Sequence, residues 1–462
     1  MMRKVGGVGV ALLAVSFAGA CSLVGGPSGG VAPPGSTEAL PGRVADPSGA
    51  DAGVGLSDTL DAPEALHPPI APFTGPRSFP EVRGLWVTRG TMTSAAEVRS
   101  MVSQAHDAGF NTLLVQVRGR ADAFYRSSLE PRGPTIVDGA DFDPLALAIE
   151  EAHGRGMAVH AWVNTHLVWG AGPLPEDSTH MVLSHPEWLG VPRELGRRLY
   201  AMDPGSPAYV QALHEFAVAN KDRVEGIFSS PSHPEVQALV HAIWMDLARR
   251  YDLDGIHFDY IRYPNHQFDY SRSALLSFRD WAASAVPEDR RRELDEALRS
   301  DPYAWAGALP DEWGDFRRLQ ITDLVARIYR DVKALRPELV VSAAVFPDVD
   351  DAYRYRFQEW REWLAAGIVD AVVPMAYTPD RDRYAAQIGT ATGAAAGGHG
   401  TVWAGVGAYL NGVDGTLEKI AIARRSGARG IVLFSYDWAV TDGSPKGTRL
   451  FLEQVSTGAF GR

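Results

Sequence analysis

From Glu81 onward the apolar positions follow two alternating patterns. Val98, Met101, Val102 and Ala105 repeat at three- and four-residue spacing, the signature of one buried helix face. The same spacing recurs in Val236, Leu239, Val240, Ile243, Trp244 and Leu247, and in Leu324, Val325, Ile328 and Val332. Between such stretches lie short apolar, β-branched runs that read as strands. Helix starts carry their own signals. Ser94 and Glu97 form a capping box, and Asp143 precedes a proline at the first helical position. Glycine ends helices ahead of strands at Gly109, Gly156, Gly367 and Gly427, where it accepts the left-handed conformation.

Eight strands are predicted: Val82–Thr88, Thr112–Arg118, Met157–Asn164, Gly255–Asp259, Val340–Phe346, Ala371–Tyr377, Thr401–Gly407 and Ile431–Asp437. Strands alternating with helices predict a parallel sheet, and eight of them predict a closed (β/α)8 TIM barrel of the α/β class. No Gly-x-Gly-x-x-Gly turn follows the first strand, which argues against an open nucleotide-binding sheet. Residues 165–253 and 260–339 are long connections. Insertions are therefore expected after the third and fourth strands, where such segments shape a barrel's active site.

The start of the chain has a different character. Arg3 and Lys4 precede an uncharged apolar stretch, Val5 to Ala18, and then Gly19-Ala20-Cys21. This predicts a secretory signal peptide over residues 1–20. Cys21 directly after small residues resembles a bacterial lipobox, which implies cleavage before Cys21 and lipid on that residue. It is the only cysteine among 462 residues, so an intramolecular disulfide or Cys-rich zinc site is excluded. Residues 22–80 hold eleven prolines and ten glycines but two aromatics, a composition too poor in apolar surface to form a core. With Cys21 they read as a lipidated, disordered tether, leaving residues 81–462 as one barrel. The expected setting is the cell envelope, secreted and lipid-anchored, with a membrane partner through the lipid. The net charge of −12 argues against nucleic acid as a partner.

Strand alternation selects the residues available for chemistry. Ile256 and Phe258 share one side of their strand, so Gly255, His257 and Asp259 face inward, with Asp259 at the C-terminal mouth. By the same test Gln116, Arg118, His160, Trp162, Asn164, Tyr377, Ser435 and Asp437 also face inward. Asp259 is a catalytic candidate or a buried carboxylate paired to Arg118 or His257. Tyr377 is a substrate-bonding hydroxyl or a core aromatic. His160 and His257 sit deeper, where supporting hydrogen bonds compete with substrate contact. Trp162, Trp169 and Trp403 are sugar-stacking platforms or core. Asp254 begins its strand and belongs to the opposite, stability face. His257-x-Asp259 is one pair and no His-Glu-x-x-His is present, so no metal or other cofactor is expected.

Several segments resemble the glycosyl hydrolase-like 10 domain of bacterial envelope proteins. They include Glu81-Val82-Arg83-Gly84-Leu85-Trp86-Val87, Gly109-Phe110-Asn111-Thr112, Gln116-Val117-Arg118 and Asp122-Ala123-Phe124-Tyr125. His160-Ala161-Trp162-Val163-Asn164, His185-Pro186-Glu187-Trp188 and Asp254-Gly255-Ile256-His257-Phe258-Asp259-Tyr260-Ile261-Arg262-Tyr263-Pro264 complete the likeness. The resemblance implies a TIM barrel that hydrolyses glycans, with a polysaccharide partner and peptidoglycan glycan strands foremost. It carries the catalytic role onto Asp259. Members commonly read Phe-Asp-Asp there, whereas Tyr260 replaces the second Asp here. The substrate-binding set is then Gln116, Arg118, His160, Trp162, Asn164, His257, Tyr260 and Arg262. Asp254-Gly255, Asp259 and Met375-Ala376-Tyr377 also resemble chitinase-like barrels, whose acidic Glu is Ile261 here. Asp259 is therefore expected to stabilise a sugar cation or act as nucleophile, with Tyr377 bonding substrate. Asp348, Asp350 and Asp437 are candidates for the general acid, and Asp437 joins Asp259 and Tyr377 as the catalytic set. A non-catalytic glycan-binding scaffold and a hydrolase of another exopolysaccharide are the competing readings.

Overall fold

The computed structural model describes residues 73–440 and 450–461. The predicted signal peptide, Cys21 and the spacer as far as residue 72 lie outside the described residues. Among the described residues there are ten strands: β1 (Val82–Val87), β2 (Thr112–Arg118), β3 (Ala158–Asn164), β4 (Leu167–Trp169), β5 (Ile227–Phe228), β6 (Gly255–Asp259), β7 (Val340–Val345), β8 (Ala371–Pro374), β9 (Thr401–Gly407) and β10 (Gly430–Phe434). Eight of them close a parallel barrel in the order β1-β2-β3-β6-β7-β8-β9-β10, with β10 pairing back onto β1. The short β4 and β5 form a separate antiparallel ribbon. The (β/α)8 barrel read from the sequence is the fold.

Two strands end three residues earlier than the sequence pattern predicts. β8 stops at Pro374, and the chain tightens at once: the Ala376 amide bonds to Pro374 O and the Tyr377 amide to Met375 O. β10 stops at Phe434 because Ser435 begins the helix Tyr436–Val440, its carbonyl accepting the Ala439 amide. Tyr377, Ser435 and Asp437 thus stand beyond the strands, on a tight turn and at the start of a short helix at the mouth.

The outward side of each strand meets the predicted helix faces. Leu85, Val87, Leu113, Val115, Ile256, Phe258 and Val341 pack with Val98, Met101, Ile243, Trp244, Leu324 and Ile328 in one continuous core. Fully burying each such side chain contributes about 1.5–3 kcal/mol. The barrel's interior is filled differently. Trp86, Leu114, Trp162, Val373, Trp403 and Val432 occupy it. Three indoles fit inside eight strands because glycines face them. A Cβ on Gly430 would lie 2.7 Å from Val82 Cβ and 2.9 Å from the Trp403 ring.

This filling corrects the expectation for the two inward histidines. His257 is fully buried; its Nε2 accepts the Trp86 indole N–H at 3.1 Å and its Nδ1 lies 2.9 Å from Ser342 Oγ. The Ser342 hydroxyl in turn donates to Ile256 O. Indole can only donate, so Nε2 is bare and Nδ1 carries the proton. Burial holds the ring well below its ordinary pKa, and neutral His257 is a structural pin. His160 lies where a side chain on Gly255 would collide with it, edge-on to Trp403 at 5.5 Å. Burial pushes it down to about 4. Both rings belong to the packed interior rather than to a surface that substrate reaches.

The long connections form the predicted insertions. After β3, the β4–β5 ribbon and the helices Met181–Ser184, Arg193–Tyr200 and Pro207–Ala219 share an apolar cluster that includes Val182, Leu189, Leu199 and Leu213. After β6, the helices Arg272–Ala282, Glu288–Leu298 and Ala304–Ala308 pack with the start of Pro310–Leu335 around Phe278, Trp305, Trp313 and Phe316. Buried Asp269 ties the two together, its Oδ1 accepting the amides of Val191 and Ser271 at 2.7 and 2.8 Å.

The end of the expected tether is part of the fold. Thr74 donates from its amide and hydroxyl to Asp252 Oδ2 at 2.9 and 2.6 Å, and the Arg77 amide donates to Asp254 Oδ1 at 2.6 Å. Asp254 also accepts the Val159 amide at 2.8 Å and lies 2.9 Å from His153 Nε2. Burial alone would raise this carboxyl, but His153 and the two amides outweigh burial and hold it below the usual range. A depressed carboxyl stabilises the fold above its unfolded pKa of about 3.9 and loses that contribution as pH falls. Asp254→Asn is expected to cost about 3 kcal/mol at pH 7 in urea unfolding, and much less below about pH 3. Equal stability of the two proteins at neutral pH would remove Asp254 from this role.

Candidate active site

Asp259 ends β6 at the barrel mouth and is 8 % exposed. Its Oδ1 accepts the Tyr260 amide at 2.7 Å and its Oδ2 accepts the Trp162 indole N–H at 3.1 Å. The first bond depends on an unusual backbone. Tyr260 has φ of 50°, a left-handed conformation that costs a non-glycine residue about 1–3 kcal/mol and is found most at functional sites. The Trp162 N–H is shared with Asn164 Oδ1 at 3.0 Å. Asn164 Oδ1 also accepts from Gln116 Nε2 at 3.2 Å, and Gln116 Oε1 accepts the Arg89 amide at 3.3 Å. The ends of β1, β2, β3 and β6 are therefore joined by one polar chain that terminates on Asp259. Gln116, Trp162 and Asn164 position the carboxylate and close the floor beneath it.

Burial lifts the Asp259 carboxyl to about 6. The Tyr260 amide, Arg262 and Trp162 oppose that rise, and the Glu225 charge adds to it. Glu225 comes from the insertion, just before β5, and no sequence signal singled it out. Its Oε1 pairs with Arg262 Nη2 at 2.6 Å. Burial pushes Glu225 up, but Arg262 prevails and holds it below the ordinary value. Two carboxyls in one mouth thus have opposite tendencies, the arrangement that separates an acid from an ionised partner.

Tyr377 stands over this floor. Its ring is edge-on to Trp86 at 6.2 Å and close to Phe434 and Tyr409 at 5.5 and 6.1 Å. Burial, then the negative charge of Asp259, hold its phenol well above the usual value. The hydroxyl remains a donor at any working pH, and no described residue accepts from it. Tyr377, Tyr409 and Phe434 give the mouth an aromatic wall suited to a sugar ring.

Other expected members have different tasks. Arg118 does not face Asp259. The register of β2 against β3 shifts between Gln116 and Arg118, and the guanidinium pairs with Glu130 at 2.7 Å and donates to the carbonyls of Asn164 and Thr165. Arg262 is buried on Glu225, with Tyr260 and Phe346 rings 4.7 and 5.0 Å from its guanidinium carbon, so it supports the site from behind. Asp437 accepts from the Thr88 amide and from the hydroxyls of Thr88 and Thr91 at 2.6–2.8 Å, clamping the last helices to the end of β1. Burial raises its carboxyl, yet these bonds make it an acceptor and not the expected proton donor. Asp348 is exposed and caps the helix Val349–Tyr355, and Asp350 is exposed beside it. Trp403 fills the barrel, and Trp169 bonds to Pro173 O on the insertion. Among the described residues no three His, Cys, Asp or Glu side chains gather as a metal site.

The profile of the glycosyl hydrolase-like 10 family matches residues 81–398. The chain belongs to this family. It is 26% identical over 358 residues to the glycosyl hydrolase DigH of Escherichia coli strain K12, covering 69% of this chain and 71% of that protein. It is 26% identical over 318 residues to the glycosyl hydrolase YngK of Bacillus subtilis strain 168, covering 65% of this chain and 51% of YngK. Among solved structures, the glycoside hydrolase domain of PgaB (BpsB) from Bordetella bronchiseptica superposes with a TM-score of 0.54 at 14% identity, over 82% of this chain and 99% of that one. A β-galactosidase from Bacillus circulans sp. alkalophilus gives 0.53 at 14% identity, over 82% and 56%. These structures share the barrel. Membership of the glycosyl hydrolase-like 10 family together with the barrel indicates a glycosidase.

In this family member the Trp162 N–H lowers the pKa of Asp259. Trp162→Phe is expected to raise the Asp259 pKa further above 6, by roughly one pH unit. Carbon-13 NMR titration of the carboxyl reads this directly; an unchanged midpoint would show that the indole bond carries no weight.

Proposed function

We propose that this chain is an envelope lipoprotein that hydrolyses an amino-sugar glycan, with peptidoglycan glycan strands as substrate and Asp259 as the proton donor. One observation carries the reading. A strand-end carboxyl, sealed by Trp162 and the Tyr260 amide, is lifted to about 6 beside an ionised Glu225. In glycosidic hydrolysis the leaving oxygen takes a proton as its bond to the anomeric carbon breaks, and water completes the reaction at that carbon. A carboxyl protonated near neutral pH supplies that proton. The raised pKa favours this role over the cation-stabilising or nucleophilic one expected from the sequence. Tyr377 donates to the substrate, and the aromatic wall receives the sugar's apolar face.

Asp259→Asn is expected to lower release of reducing ends from peptidoglycan glycan strands by about a hundredfold to ten-thousandfold, with binding retained. If the unmodified chain binds these strands and releases nothing from them, from chitin oligomers or from an exopolysaccharide, it is a glycan-binding scaffold. Release from the exopolysaccharide alone moves the substrate class.

The pH profile tests the protonation state. With Asp259 acting as acid, kcat/KM falls as pH rises through about 6. A fall on the acidic side of that value instead would make the ionised form the working one.

The anchor rests on Cys21 following small residues, with a Pro/Gly-rich spacer behind it. Cys21→Ser is expected to move the protein from the membrane fraction to the soluble fraction. Unchanged fractionation would count against lipidation.

A further inference from the structure

Two arginines at the mouth are not used by the chemistry above. Arg89 lies two residues beyond the end of β1, and Arg120 two beyond the end of β2. Both are half-buried. The Arg89 guanidinium lies directly against Gly119, where a Cβ would collide with its Nη1. The Gly119 carbonyl accepts from Arg120 Nη1 at 2.7 Å and from Asn164 Nδ2 at 3.0 Å. Asn164 belongs to the chain that ends on Asp259, so the arginines and the carboxyl share one rigid support. Arg89 and Arg120 repel each other, and both act on the Tyr260 phenol next to Asp259. Burial, then this repulsion, pushes Arg89 down to about 10, which leaves it charged at neutral pH.

The local anion offsets the two positive charges only in part. Asp122 is the carboxylate acting on Arg89, and its Oδ1 is taken by the amides of Gly119 and Arg120 at 3.3 and 2.7 Å. The Arg89 side chain has no hydrogen bond or ion pair with any described residue. Two like charges held together, one without an acceptor among the described residues, suit an anion. The planar fork of a guanidinium matches a carboxylate in two parallel bonds.

We propose that Arg89 and Arg120 form an anion subsite that binds the carboxylate of an acidic sugar next to the scissile bond. The subsite makes the enzyme selective for glycans that carry a carboxylate, either as a lactyl ether or as a uronate. It rests on the glycan-hydrolase reading of the same mouth, and its test reads binding so that the two stand or fall separately.

The test uses the full chain carrying Asp259→Asn, which keeps the glycan intact. Its affinity is measured for peptide-free peptidoglycan strands, for the same strands with carboxyls reduced to alcohols, and for an oligouronate. The carboxylated strand or the oligouronate is expected to bind at least about tenfold tighter than the reduced strand, a difference of about 1.4 kcal/mol. Whichever of the two binds identifies the source of the carboxylate. Adding Arg89→Gln is expected to bring that ratio close to one with affinity for the reduced strand unchanged, and Arg89→Lys to restore part of it. Arg99→Gln, on a remote helix in an ion pair with Glu151, controls for net charge and is expected to leave the ratio intact. Equal affinity for carboxylated and reduced glycans overturns the subsite, as does an Arg89→Gln loss that is the same for both. A carboxylate preference in this variant, with no cleavage of any of these glycans by the unmodified chain, retains the subsite and overturns the hydrolase reading.

Discussion

A carboxyl group buried at the mouth of a barrel is expensive, and much of this structure exists to hold it. Removing a carboxylate from water costs several kcal/mol even after relaxation, unless hydrogen bonds replace the solvent. Asp259 receives two, one from an indole and one from an amide turned toward it by the left-handed backbone at Tyr260. Neither donor stands alone. The indole is aimed by Asn164, Asn164 is held by Gln116, and Gln116 is held by the main chain after β1. The position of one oxygen atom is therefore set by four strand ends. The solvation is also incomplete, which is why the group remains protonated to a higher pH than a surface aspartate.

The insertion after β3 completes the electrostatics. Its Glu225 forms a buried pair with Arg262, and truncating one partner of such a pair typically costs more than the pair contributes. Here the pair also acts on the neighbouring carboxyl, Arg262 opposing the rise in pKa and Glu225 adding to it. The barrel supplies the carboxyl proposed as the acid, and the insertion adjusts it. This division fits a fold in which strand ends present the site's side chains and the loops after them shape their surroundings.

The frame was legible in the sequence because it rests on periodicity. Helix faces of three- and four-residue spacing and glycine stops located all eight barrel strands, and alternation turned Asp259, Trp162 and Asn164 inward. Alternation fails where a strand ends. Tyr377 and Asp437 reach the mouth from a tight turn and a helix, so their surroundings were not readable from a two-residue period. Arg118 was misdirected by a shift in register, which no local pattern announces. His160 and His257 show a different limit. Facing inward at a low layer means facing Trp403 and Trp86 rather than solvent, and depth depends on how the whole barrel is filled. Arg89 and Arg120 carried a usable signal, since each follows a strand end closely. Glu225 carried none, because its contact with Arg262 spans 37 residues and exists only once the insertion has folded back.

The clasp beneath the barrel has a directional consequence. Thr74 and Arg77 are fastened to Asp252 and Asp254 at the start of β6, whereas Asp259 lies at its end, roughly 16 Å away at about 3.3 Å per residue. The polypeptide thus enters the domain through the face opposite the mouth. A load on Thr74 and Arg77 is thus borne by carboxylates at the closed end of the barrel. Among the described residues this clasp therefore sits at the end of the barrel away from Asp259 and takes no part in the mouth.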